Sequence, residues 1–223
     1  IIGIELFDNN LNGTIPPEIG DLEALQYFDL SNNLIYGEIP EEIGLLTELT
    51  TLSFAINRFN GEIPPQIGNL RKLNILYLNN NMFSGEIPEE IGQLVRLTEL
   101  QLQKNNLTGT IPSNLGNLSK LQVLYLYSNE LEGEIPESLG NLSNLQYLSL
   151  YANNLSGNIP ASLSQLSELL NLDLSNNALA GQIPPELGDL KNLKELLLYK
   201  NKLDGEIPDE LGGLFALEEL NLR

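Results

Sequence analysis

Residues Leu121 to Leu145 read LQVLYLYSNELEGEIPESLGNLSNL, and this stretch decides the fold. Leu124 and Leu126 alternate with non-core positions in the period of two that marks a strand. Asn129 closes the strand, and its amide can satisfy backbone groups of neighbouring turns. Gly133 supplies a backbone angle, or a close approach, that a side chain forbids. Pro136 suits the first position of a short helical turn, where its missing N–H would have no partner anyway, and Glu137 favours the same helix start. Leu142 and Leu145 then return the chain to the core.

The same pattern extends in both directions at a fixed spacing of 24 residues. Asn9, Asn33, Asn57, Asn81, Asn105, Asn129, Asn153, Asn177 and Asn201 form one column, with Gly four residues and Pro seven residues after each. Nine units start at residues 1, 25, 49, 73, 97, 121, 145, 169 and 193, and a partial tenth covers 217–223, with no insertion or deletion in the 223-residue chain. The only change in the Gly of the LG or IG pair is Ser164 in unit seven. One unit cannot bury its own leucines, but stacked units can. The expected fold is an α/β solenoid: a right-handed superhelix with one parallel strand per unit and short helical or 3-10 turns on the convex side. At ~4.8 Å per strand the concave sheet is roughly 40 Å long. Residues 1–223 are expected to form one array that begins and stops inside a strand without terminal caps.

Composition removes many function classes. Eleven Lys and Arg against thirty Asp and Glu give a net charge of −19, which argues against nucleic-acid phosphates and anionic membrane surfaces as partners. Without His or Cys there is no Ser-His or Cys-His nucleophile pair, no zinc site built on nitrogen or sulfur, and no disulfide. No run of ~18 uncharged apolar residues spans a membrane, and no signal-peptide pattern is present. The single Met is Met82, so Ile1 reads as an internal or processed start. No cofactor is expected.

The 24-residue unit with its LxGxIPxxLGxL half resembles the plant-type leucine-rich repeat family over the whole chain. That family includes the ectodomains of receptor-like kinases and receptor-like proteins, and polygalacturonase-inhibiting proteins. The resemblance implies a secreted or cell-surface recognition module, usually N-glycosylated, that binds peptides, small hormones, enzymes or co-receptors. Ectodomains of that family usually carry disulfide-paired caps, which this chain without Cys lacks. A fragment of a larger ectodomain, an engineered array or an incomplete chain each account for that.

Exposed sheet positions are expected six, four, two and one residue before each Asn of the column. Seven of the eight tyrosines fall there, Tyr36 being the exception. Tyr125, Tyr127, Tyr147 and Tyr151 gather in adjacent units, flanked by Gln101 and Gln103, with Tyr77 and Tyr199 further out. Tyr gives binding surfaces apolar area and a hydroxyl at low entropic cost; it also forms strands and pairs across them well. No Arg falls in the set, and its only cations are Lys104 and Lys200. Some receptor-kinase relatives hold a peptide carboxylate with concave arginines, so the partner expected here is instead a neutral to basic protein, peptide or glycan.

A second locus is acidic: Glu5, Asp8 and Asp29, with Glu5 and Asp29 in one column. Such a pair could bridge a cation or sit at the ~5 Å of a retaining glycosidase, but the open surface favours a solvated face, and no enzyme activity is expected. A longer acidic stripe around each IP holds 14 of the 30 acids, including Glu38, Glu62, Glu86 and Glu134. Sequons stand at Asn12, Asn106, Asn117, Asn141 and Asn154, none of them in the ladder column. The alternative to recognition is a structural or assembly role, or an engineered scaffold, self-associating through open ends. An ice-binding ladder would need regular Thr, and the position before IP has it only at Thr14 and Thr110.

Overall fold

A computed structural model describes residues 1–223. Ten three-residue strands, one per unit from Gly3–Glu5 to Glu219–Asn221, form one parallel sheet in sequence order. Every pairing is displaced by 24 residues, as in Val123 with Tyr147 and Tyr147 with Asn171. On the opposite side nine five-residue 3-10 turns, from Pro17–Asp21 to Asp209–Gly213, stack in the same order. The fold is the right-handed repeat solenoid.

The proline of each IP pair stands one residue earlier than its expected place in the helix. Pro136 is the N-cap, with φ −64° and ψ 132°, and the turn runs Glu137–Asn141. Its extended backbone sets the entry angle, while its fixed φ costs nothing at a position that needs no N–H. Only in the units with a second proline, as at Pro17, Pro65 and Pro185, does Pro open the helical turn itself.

The repeats also form a second layer of short strands beyond each ladder asparagine. Asn12–Gly13, Leu34–Gly37, Arg58–Glu62, Met82–Glu86 and Asn106–Thr108 make a five-stranded parallel ribbon, continued by two separate pairs. Its register advances by 22 residues rather than 24, as in Ser84 with Asn106. The sequence hides this layer because its side chains are mixed and the glycine at its centre breaks the alternation.

Leucine and isoleucine columns fill the space between the sheet and the turns in one continuous core of 56 buried residues. Toward the N-terminal units phenylalanines replace leucines. Phe28 meets Phe54 edge-on at 5.0 Å, and Phe54, Phe59 and Phe83 stack at 5.1 and 5.9 Å.

The ladder asparagines tie successive units together. Asn129 Oδ1 accepts the Leu107 N–H at 3.1 Å, and its Nδ2 donates to the Leu102 and Leu126 carbonyls at 3.1 and 3.0 Å. Asn33, Asn57, Asn81, Asn105, Asn153, Asn177 and Asn201 repeat the arrangement. Asn9 in the first unit instead donates to its near neighbour, the Phe7 carbonyl. Four residues on, Gly133 has φ +76°, and a Cβ there would lie 2.9 Å from Thr110 Cγ2; both reasons for glycine hold at once.

The residue before each ladder asparagine is left-handed rather than part of the strand, from Asp8 (φ 57°) to Lys200 (φ 53°). Asn tolerates this conformation and supplies it at Asn32, Asn80 and Asn176. Ile56, at φ 56° and half-exposed, is the β-branched exception, and a branched Cβ fits that region worst. Ile56→Asn is expected to stabilise the protein by about 1 kcal/mol, read as a higher urea midpoint at unchanged m-value. An unchanged or lower midpoint counts against strain at Ile56.

Candidate concave recognition face

The sheet arranges its outward side chains in three rows. The first runs Ile75, Glu99, Val123, Tyr147, Asn171, Glu195, and the second Tyr77, Gln101, Tyr125, Ser149, Asp173, Leu197, each step a paired register. The third continues past the strand ends, where backbone bonds such as Asn80 N–H to Gln103 O and Lys104 N–H to Tyr127 O keep the units in step. It reads Asn79, Gln103, Tyr127, Tyr151, Ser175, Tyr199.

The structure brings the tyrosines together. Tyr127 stacks on Tyr151 at 4.9 Å and 25°, and Tyr125 lies 5.9 Å from Tyr127 at a tilt of 58°. Stacked rings restrain one another and present a rigid aromatic surface. Tyr147 lies near enough to Tyr125 to bear on the ionisation of the Tyr125 phenol. Burial, then Tyr147 and Tyr127, then the charges of Glu99 and Glu195 push the Tyr125 phenol above its ordinary pKa. All four rings are half-buried, as are Tyr77 and Tyr199.

Carboxylates border this patch on both sides. The Tyr77 hydroxyl donates to Glu99 across the neighbouring strand. Burial first, then that bond and the Glu99 charge, hold the Tyr77 phenol well above its usual range, so it stays a donor. On the other side Asp173 Oδ1 accepts from the Ser175 N–H at 3.0 Å and from its hydroxyl at 2.6 Å. Burial raises the Asp173 pKa, with Glu195 adding to the rise and the Ser175 bonds opposing it. Asn171 donates to Glu195. No arginine stands in any row, and Lys104 and Lys200 sit on the exposed left-handed shoulder beside the rows.

Several positions expected to be exposed are not. Gln103 is 4 % exposed, and Ser53, Ala55, Asn79, Ser149 and Ser175 are also buried. A concave sheet crowds its inner face, so short side chains vanish between taller neighbours. Gln103 Nε2 donates to Gln101 Oε1 at 3.2 Å. Glu99, Asp173 and Glu195 occupy the sheet positions that the spacing from Asn105, Asn177 and Asn201 gives them, but their place at the border of the tyrosine patch emerges only once the rows are laid side by side.

The acidic locus does not close into a site. Glu5 and Asp8 are exposed and Asp29 half-buried. Asp29 Oδ1 accepts the Ser31 N–H, and Asp8 Oδ1 accepts from Asn32 Nδ2, both at 2.8 Å. No three acidic side chains anywhere in the structure converge as a metal-binding group would. The acids of the stripe around IP face solvent, with only Glu42 and Glu90 half-buried. The sequon residues Asn12, Asn106, Asn117, Asn141 and Asn154 are all exposed.

A profile of the leucine-rich repeat region matches residues 8–156, and the leucine rich repeat profile matches 168–190 and 192–214. The chain belongs to the leucine-rich repeat family. No curated protein matches it. Among solved structures it resembles the repeat ectodomain of the plant membrane receptor kinase GASSHO1/SCHENGEN3 from Arabidopsis thaliana in complex with CASPARIAN STRIP INTEGRITY FACTOR 2. The two share 42% identity over 97% of this chain and 26% of that one, with TM-score 0.96. The Arabidopsis receptor kinase HAESA, solved with the peptide hormone IDA and the co-receptor SERK1, is 38% identical over 99% of this chain and 37% of its own, with TM-score 0.92. A plant ice-binding protein is more distant, at 29% identity and TM-score 0.70 over 98% of this chain and 79% of that one. The chain thus spans a quarter to somewhat over a third of the two receptor ectodomains.

Proposed function

We propose that this chain is a non-enzymatic recognition segment of an extracellular, receptor-like protein, and that its concave face binds an extended peptide or a protein loop. The observation that carries this reading is the stacked Tyr127–Tyr151 pair, with Tyr125 and Tyr147 beside it, bordered by Glu99 on one side and Asp173 and Glu195 on the other. Rigid aromatic area supplies affinity at low entropic cost. The carboxylates, and the lack of any arginine in the rows, select neutral to basic ligands over acidic ones. The complex of HAESA with the peptide hormone IDA supports a peptide as ligand, and exposed sequons support an extracellular setting in which those asparagines carry glycans.

The test is selection of a random dodecapeptide display library on the purified protein. Peptides that bind the wild type are expected to lose about 30-fold in affinity against Tyr127→Ala or Tyr151→Ala, the effect of about 2 kcal/mol at an aromatic hot spot. Peptides that bind both variants as tightly as wild type would place recognition elsewhere.

A further inference from the structure

The concave face carries more acceptors than donors at one place, and that imbalance identifies what it takes. Asn79 and Gln103 are neighbours in the third row, 8 % and 4 % exposed. Asn79 Oδ1 and Gln103 Oε1 are buried and no protein group donates to either. Gln101 Oε1, in the row between, already accepts from Gln103, and the Glu99 carboxylate stands one row beyond Gln101, engaged only by the Tyr77 hydroxyl. Two side-chain amides, a further amide oxygen and a carboxylate thus crowd two adjacent units with no cation among them.

An unpaired buried acceptor costs about 1–3 kcal/mol, and two in adjacent units are not explained by packing, since apolar residues of the same shape would fill the space without that cost. The terminal torsions of Asn and Gln are broad rotors; the Asn79 oxygen can turn toward the groove, and the Gln103 amide does so by giving up its bond to Gln101. A partner that brings several N–H donors at once relieves both. Guanidinium does this best, with five donors in a planar fork and a preference for aromatic faces, which Tyr77 and Tyr127 flank here.

Resting on the concave-face reading above, we infer that Asn79, Gln101, Gln103 and Glu99 form a subsite for a cationic side chain of the bound peptide, arginine in preference to lysine. It fixes the peptide's register against the tyrosine patch next to it.

The experiment is the same dodecapeptide selection, run in parallel on wild type, on the double variant Asn79→Leu/Gln103→Met, and on Glu99→Gln. Wild-type binders are expected to share an arginine at one position, and replacing it by norleucine should weaken binding at least tenfold. On the double variant that tenfold preference disappears while the residual affinity stays sensitive to Tyr127→Ala. The double variant's unfolding midpoint holds, because loss of the two unpaired acceptors offsets loss of the Gln103–Gln101 bond; side chains needed only for structure would lower it. Glu99→Gln, which keeps an acceptor for Tyr77, weakens the arginine preference without relying on the folding of the double variant. Binders that share no cation, or an arginine preference that survives both variants, overturn the subsite while leaving the tyrosine reading standing. Binders indifferent to Tyr127→Ala and Tyr151→Ala overturn the reading beneath it.

Discussion

Asn129→Ala is expected to lower the unfolding free energy by about 3 kcal/mol. The substitution removes three hydrogen bonds inside the stack, at a cost near 1 kcal/mol each: the Leu107 N–H loses its partner, and the Leu102 and Leu126 carbonyls keep only their bonds from Asn105 and Asn153. The side chain is nearly buried, so water replaces little of this. Asn129→Asp should be worse than Asn129→Ala at neutral pH, because a carboxylate can accept from Leu107 but faces two carbonyls it cannot donate to. Urea unfolding gives the total, and amide exchange localises it: Leu107 should lose protection while amides several units away keep theirs. A loss below 1 kcal/mol would mean that the amide contributes little beyond filling space.

Gly68→Val should do comparable damage by the opposite route. A Cβ at Gly68 would lie 2.6 Å from Glu90 Cβ and 2.7 Å from the Glu90 carbonyl oxygen. Backbone of the next turn cannot step aside as a flexible side chain does. The two turns must separate, opening the core beneath Ile67 and Ile91, which are fully buried. Overpacking of this kind costs about 1–3 kcal/mol, and valine's branched Cβ puts the expected loss at the upper end. Serine carries the same Cβ, so Gly68→Ser should also destabilise, though less than Gly68→Val because it lacks the second branch; unit seven holds Ser164 at the equivalent position. Equal stability of wild type and Gly68→Val would show that the turns are free to shift apart.

The fold was legible because each element of the unit has its own chemical reason. The leucine alternation, the ladder Asn, the left-handed Gly and the Pro at the turn recur nine times in one register, and errors at a single unit are averaged away. What stayed hidden depends on contacts between units. The second layer of strands pairs with a 22-residue offset that no single unit displays. The left-handed residue before the asparagine is Asp, Asn, Ile, Lys, Ser or Ala, so its side chain gives no sign of its backbone. The tyrosine cluster could be read from the columns, since strand register follows from the spacing. The burial of Asn79 and Gln103 could not, because it is produced by taller neighbours in adjoining units, not by either residue's own polarity. Pro136 was displaced by one residue because an N-cap and a first helical position both suit a residue without an N–H.

The ladder has a direction. Every amide from Asn33 onward takes its cross-unit partners, one carbonyl and one N–H (two for Asn33), from the unit before it in the chain: Asn129 from Leu107 and Leu102, Asn153 from Leu131 and Leu126. Each asparagine therefore finds its partners in polypeptide already synthesised when it leaves the ribosome, and none waits for a later unit. The solenoid can lengthen from its N-terminal side during translation, every new coil closing on a finished one.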